Sequence, residues 1–355
     1  MAITYLPPVR HVLPLTTVRR TRELPASGAV TVRVNEKVQA QDVLGEAEVA
    51  PKHFFLDLAR GLGVGETQVQ RYIVKQPGDS VNADEIIAGP AGVARRTVRA
   101  PSDGQIISFG RGKVLFQSRG RVAEVRAGFP GVVIASDGVK RVTLETTGAL
   151  IEGVWGNGKQ DFGLMRMVGE GPRSRLQTRL MDIQLRGAVI VAGLCDHPAP
   201  LQQAGELSLR GLILGGMAAA LIPMAMRLPY PLVVLGGFGD FPISAPVFNL
   251  LAGNVGREVA VEGRTPGAYE TYGPEVIIPM PSERSIDLPE DVIPLEPGVR
   301  VRIVRAPLQG VVGEIREILP RAEEMPSRML ARSAVVKIEG SAPARVPLAN
   351  LEILG

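Results

Sequence analysis

The stretch 188–265 limits the fold of this chain more than any other. Four short apolar runs, AVIVAG (188–193), GLILGG (211–216), PLVVLGG (231–237) and REVAVEG (257–263), read as strands that end in glycine. Between them PAPLQQAGELS (198–208), MAAALIPMAMRL (217–228) and SAPVFNLLAGNVG (244–256) hold helix formers, the last opening on the start signal Ser244-x-Pro246. Strands alternating with helices of this length pair in parallel through right-handed crossovers. A central four-stranded parallel α/β unit over 148–265 is therefore expected. Between Gly187 and Gly256 the only charged residues are Asp196, Glu206, Arg210, Arg227 and Asp240. Five charges cannot cover an isolated surface, so the unit is expected to pack against its neighbours or in a homo-oligomer.

A chain of 355 residues calls for more than one domain. Residues 1–28, rich in proline and with Arg19, Arg20 and Arg22 close together, read as an irregular, solvated lead-in. Residues 266–294 read as an acidic, Pro-rich linker holding one strand, EVIIP. The single cysteine, Cys195, rules out an intrachain disulfide framework. No secretory signal opens the chain, and no run reaches the roughly 18–20 apolar residues of a membrane span, so a cytoplasmic protein without a transmembrane segment is expected.

Between 29 and 147 the pattern is β, and it repeats. VNEKVQAQDVLG (34–45) aligns with QPGDSVNADEIIA (76–88), Val38 on Val81, Ala40 on Ala83, Val43 on Ile86 and Leu44 on Ile87. Pro77-Gly78-Asp79 with Val81 and Ile86-Ile87, and then RAPSDGQIISF (99–109), resemble the paired turn motifs of biotinyl/lipoyl-type barrel-sandwich hybrid domains. The resemblance, over about 30–145, implies that fold. In carrier members a lysine sits on the hairpin between the two motifs. Here that interval is GPAGVARRTV (89–98) and no lysine lies between Lys75 and Lys113. The interval therefore argues against a lipoyl or biotinyl carrier, and no cofactor is expected. HFFLDLARGLGVG (53–65) reads as a helix ending at Gly61 or Gly63.

LEPGVRVRIVR and the alternating runs after it (295–354) resemble a KOW/SH3-like barrel. The likeness lies in Gly298-Val299-x-Val301-x-Ile303, the Pro307-x-x-Gly310 turn and Gly313 with Glu314-Ile315-Arg316-Glu317-Ile318. In that family the loops beside the glycine turn bind RNA or protein. The fold class is thus multidomain α/β plus all-β: an N-terminal barrel-sandwich hybrid (29–147), the central unit, and a C-terminal SH3-like barrel (295–355).

Three places could carry function. Ligands on open parallel sheets bind beyond the carboxyl ends of the strands. That rim holds Cys195, His197 and Asp240 as weak catalytic candidates, the loop residues Gly236, Gly237, Gly239 and Ser244 as ligand-binding candidates, and Arg264-Thr265. Net charge is uneven, +6 over 1–147, −5 over 148–297 and +3 over 298–355, which permits a polyanionic partner. Arg95, Arg96, Arg99, Arg305 and Arg328 are the nucleic-acid candidates, and alternation puts Arg119 and Arg121 on one face. Finally, Gly153-x-x-x-x-Gly158-Lys159 fills seven positions of a phosphate-binding loop, but Gln160 replaces the Ser or Thr that holds magnesium. Gly163 and Gly169 would break the helix such a loop needs, so the stretch reads as a connector folding Trp155 against the α/β unit. No metal site is expected. The function expected is a non-catalytic cytoplasmic adaptor or assembly protein, with nucleic acid or the transcription or translation machinery as partner. The alternative is a small-molecule-binding or hydrolytic enzyme at the strand-end rim.

Overall fold

Residues 1–28 are not an irregular lead-in. In the computed structural model, which describes residues 5–264, 272–280, 282 and 286–355, they contain β1 (Val9–Arg10) and β2 (Val12–Glu23). On β2, Val18, Arg20 and Arg22, and Leu24 just after it, turn inward while Arg19, Thr21 and Glu23 face solvent. The two inward arginines meet glutamates far along the chain. Arg20 grips Glu275 through Nε (2.6 Å) and Nη2 (2.5 Å), and Arg22 grips Glu262 through Nη1 (3.0 Å) and Nη2. Glu152, Glu275 and Glu262 stand opposite one another on three adjacent strands. Like charges so placed repel, and the buried arginines compensate them. Burial pushes the Glu275 carboxyl up, with Arg20 opposing.

The molecule is mostly β, 44% strand and 13% helix, in several sheets that include a curled half-barrel. Next along the chain come β3 (Ala29–Val30), β4 (Lys37–Val38), β5 (Val43–Val49) and β6 (His53–Asp57). HFFLD is thus strand, as its paired phenylalanines favour. The expected helix shrinks to α1 (Leu58–Leu62), capped by the Asp57 carboxylate on the Arg60 N–H and ended by Gly63 at φ 71°. There follow β7 (Ser80–Val81), β8 (Ile86–Ala91), β9 (Arg96–Arg99), β10 (Gly104–Gly110), β11 (Lys113–Ser118), β12 (Arg121–Arg126), β13 (Gly131–Ser136) and β14 (Arg141–Glu152).

The repeat is physical. Glu36 accepts from the Arg33 N–H and Asp42 from the Gln39 N–H; 43 residues later Asp79 accepts from Gln76 and Glu85 from Asn82. The structure also supplies a second half that the sequence reading missed. AGFPGVVI (127–134) is the counterpart of APSDGQII (100–107). The Ala127 N–H donates to Asp42 O (3.0 Å) as the Ala100 N–H donates to Glu85 O (2.8 Å). Val43 pairs with Arg126 as Ile86 pairs with Arg99. Gly131 and Gly104 press against an opposing carbonyl, where an added Cβ would stand 2.5 Å from Glu145 O and 2.2 Å from Gln117 O. Residues 29–147 therefore hold two nested copies, not one unit. The inner copy is inserted between β5 and β12, where the hairpin of the outer copy would turn.

The insertion rides on one antiparallel ribbon. β5 and β12 pair as far as Val49 with Arg121, and β6 and β11 resume at His53 with Gln117 without a change of register. Between them Lys52 O accepts from the Ser118 N–H (2.8 Å), and Pro51, which has no N–H, interrupts the ladder. Beyond this break residues 51–119, the head, have a core of their own that includes Leu58, Ile87, Ile106, Val114 and Phe116. The outer copy packs instead around Leu44, Phe129 and Leu144 with Ala260 and Ile277 of distant strands.

The rest of the chain, the body, continues with β15 (Trp155–Gly156), β16 (Gln160–Met167), β17 (Val189–Cys195), α2 (Pro198–Glu206), β18 (Gly211–Met217), α3 (Ile222–Ala225), β19 (Leu232–Phe238), α4 (Ala245–Ala252), β20 (Glu258–Glu262) and β21 (Glu275–Pro279). Parallel pairing runs β19-β18-β17-β16, and β17 and β18 are buried throughout, as strands covered on both faces must be. One member differs from expectation. REVAVEG is β20, antiparallel to both β16 and β21; the fourth parallel strand is β16. The residues expected to form a linker put β21 between β20 and β14 inside an eleven-stranded sheet. The apolar faces of this unit are covered within the chain, by α2 and α3 on one side and by α4 with residues of β14, β20 and β21 on the other.

At the C-terminal end β22 (Arg300–Ile303), β23 (Val312–Ile318), β26 (Ser333–Lys337), β27 (Ala344–Pro347) and β28 (Leu351–Leu354) follow the expected strand runs, and an unexpected hairpin of β24 (Glu323–Glu324) and β25 (Leu330–Ala331) lies between β23 and β26. A six-stranded sheet forms in the order β1-β28-β22-β23-β26-β27, so β1 ties the two ends of the chain together. Among the described residues no helix is long and apolar enough to cross a membrane.

Candidate functional site

The strand-end rim gathers the expected residues without making them reactive. Cys195 is buried, and its thiol donates to His197 O (3.4 Å) instead of meeting the imidazole. Burial pushes that thiol up to about 11, the hydrogen bond opposing and Asp196 adding to the effect. A nucleophile needs the opposite shift and a base in reach. The His197 ring is exposed, 3.8 Å from Asp196, and Asp240 faces Arg173 (3.7 Å) and Arg175 (4.0 Å). Arg175 also holds Asp196. Thiol, imidazole and Asp240 therefore do not form a triad. Arg264 is described; Thr265 lies outside the described residues.

The glycine loop divides. Gly236 and Ser244 wall a cleft of about 150 Å³ together with Arg10, Glu152, Arg302 and Glu352. Gly237 and Gly239 do not line it; Gly237 packs on the Phe241 ring and the Gly239 N–H donates to Met217 O (2.8 Å). The charges of the cleft are engaged with each other and with the backbone. Glu352 holds both Arg10 (2.9 Å) and Arg302 (2.5 Å); Arg10 also donates to Gly153 O (2.7 Å) and Arg302 to Leu235 O (3.2 Å). This is a seam stitching the C-terminal sheet to the α/β unit. The phosphate-loop pattern also has a structural use. The Gly153 N–H donates to Pro274 O (2.6 Å), Lys159 Nζ to Met226 O (3.3 Å), and a strand, not a helix, follows. Trp155 pairs with Val234 and meets Phe238 edge to face at 5.7 Å, as the connector reading expects.

The five candidate arginines fall in two places. Arg95, Arg96 and Arg99 belong to the β8–β9 hairpin of the head, where Arg99 donates to Asp84 O (2.7 Å). Arg305 and Arg328 belong to loops of the C-terminal sheet. They form no single surface. Among the described residues no three His, Cys, Asp or Glu side chains are grouped to hold a metal.

A different site opens in the crook where the ribbon meets the head. Val49, Ala50, Lys52, Phe54, Pro101, Asp103, Arg119 and Arg121 line a groove of about 550 Å³. Phe54 and Phe55 are 39% and 75% exposed, far more than aromatic side chains usually are, and Phe54 rests on Phe116 with ring centroids 6.3 Å apart. Lys52, Arg119 and Arg121 form no salt bridge among the described residues. Asp103, the one acid of the groove, already accepts from the Ala83 N–H (2.8 Å). Alternation anticipated that Arg119 and Arg121 lie on one face, and both line the groove. It missed Lys52 and Phe54, which reach the groove only because the ribbon keeps its register across Pro51. Compared with known proteins, the chain matches no family model and no curated sequence.

Proposed function

We propose that this chain is a non-catalytic adaptor whose body presents the head to a negatively charged macromolecule. One observation carries the reading: a module with its own core stands at the end of a two-stranded ribbon and holds the whole excess of charge. Residues 51–119 contain ten Lys and Arg against six Asp and Glu, +4, which equals the net charge of the entire chain; the remaining residues balance at thirty of each sign. Charge concentrated on a presented module steers an oppositely charged partner to that module. Both nested copies are read as non-carrier barrel-sandwich hybrids and residues 295–355 as an SH3-like barrel, with the cytoplasm as the setting. The enzyme reading lacks support from the rim, where the thiol is buried, protonated and without a base.

The test is purification of the full chain from its native source, beside a variant with Arg95→Gln, Arg96→Gln and Arg119→Gln in the head and Arg121→Gln at its base on β12, and another with Arg305→Gln and Arg328→Gln. A stoichiometric acidic protein or nucleic acid that is lost only from the head variant is expected. A chain that purifies alone, or a companion indifferent to the head substitutions, overturns the reading.

A further inference from the structure

We propose that the crook groove binds an extended acidic peptide carrying one bulky apolar side chain. This rests on the adaptor reading and names the class of its partner.

Charge decides the sign of the ligand. Three cations, Lys52, Arg119 and Arg121, line the groove against the single carboxylate of Asp103, which accepts from the Ala83 N–H, so positive charge prevails. Shape and polarity decide its class. Val49, Ala50, Phe54 and Pro101 supply apolar lining, and a volume of about 550 Å³ holds a large side chain with a stretch of backbone. The wall that carries Phe54 is β6, the edge strand of its sheet, whose outer backbone groups are unpaired among the described strands. Such an edge takes an extended peptide as an added strand, with backbone hydrogen bonds giving affinity and side-chain pockets giving specificity. A nucleic acid fits less well. Single strands bind along successive stacking rings, and here one face of Phe54 is already turned to Phe116. A second copy of the chain is disfavoured because two heads of +4 repel.

The experiment measures fluorescence anisotropy of the full-length chain with labelled probes at low salt. The probes are a short peptide of aspartate and glutamate with a central phenylalanine, the same peptide with central alanine, and an oligouridylate. The phenylalanine peptide should bind tightest. Arg119→Gln with Arg121→Gln should weaken it roughly fivefold to tenfold, the loss of two partly exposed ion pairs. Phe54→Ala should abolish the preference for phenylalanine over alanine, while Arg95→Gln with Arg96→Gln should weaken both peptides by the same factor, smaller than that of the groove pair, because they act only through the overall charge of the head. An unaltered circular dichroism spectrum, which follows the head transition, establishes that the variants are folded. If both peptides bind alike, if the oligouridylate binds tighter, or if only Arg95 and Arg96 matter, the groove proposal falls while an anionic partner for the head survives. If no probe binds at low salt, the adaptor reading falls as well.

Discussion

In the outer copy β13 leads into β14 and so into the eleven-stranded sheet, whereas in the inner copy the matching strand β10 is followed by β11, and the sheet ends at β6. The turns of the two copies are bonded alike, down to the carboxylates of Asp42 and Glu85. What differs is the company each keeps. The outer copy shares its core with Ala260 and Ile277 from the far end of the chain, and its ladder is backed by β2 and β21. The inner copy packs on itself and leaves an edge with exposed aromatics and unpaired cations. The comparison teaches that one local fold serves as scaffold where its edges are consumed, and keeps an open edge and its own core where they are not.

The largest effect should come from the scaffold. Arg22→Ala leaves Glu262 buried without its partner, and such a loss costs roughly 3–5 kcal/mol. Trp155, the only tryptophan, lies in the body, so its fluorescence should report a much lower melting temperature. The head transition, followed by circular dichroism, should stay where it was. Equal shifts of the two would break the distinction between head and body.

The reciprocal change sharpens it. Phe116→Ala empties the centre of the head core, at a cost of about 3–5 kcal/mol that falls within the head alone. The head should then unfold before the Trp155 signal moves, and hydrogen exchange should show β7 to β11 opening with the body still protected. Exposure of body amides together with those of the head would show the ribbon to be more than a tether.

A smaller effect concerns the turn of the outer copy and pH. Asp137, in the β13–β14 turn, accepts from the Arg141, Lys140 and Val139 N–H groups, which hold its carboxyl down to about 2. A carboxyl depressed in the folded state stabilises it above the ordinary carboxylate value of about 3.9, and the contribution fades as pH falls through the folded value. The body transition should therefore weaken between about pH 4 and pH 2. Asp137→Asn should reduce this dependence without touching the head, leaving the part due to Glu23, which Lys140 holds down, as Trp155 fluorescence across an acid series would record.

Much of this was legible in local pattern. The 43-residue repeat, the parallel strands β17 to β19 and the C-terminal strands all follow from alternation and turn residues. The nesting was not, because AGFPG and APSDG share little beyond an alanine and a glycine, and only hydrogen bonding to Asp42 and Glu85 reveals their equivalence. Nor could the place of Arg20 and Arg22 be read locally. Clustered arginines normally mark a solvated segment, and their carboxylates lie 255 and 240 residues away. The direction of β20 was likewise hidden, since an apolar alternation does not say which neighbour it pairs with. At the rim, sequence proximity suggested a Cys–His pair that the backbone between Cys195 and His197 does not allow to face each other.

The most direct measurement removes the head. Val49 and Arg121 are paired. Deleting Pro51–Arg119 and changing Ala50→Asn therefore leaves Asn-Gly to close a two-residue hairpin, the turn such a ribbon favours. The thermal transition of this shortened chain, read by Trp155 fluorescence, should coincide with that of the full chain, because the body owes its packing to nothing beyond the ribbon. A body that loses its cooperative transition when the head is gone would contradict the separation on which the adaptor reading stands.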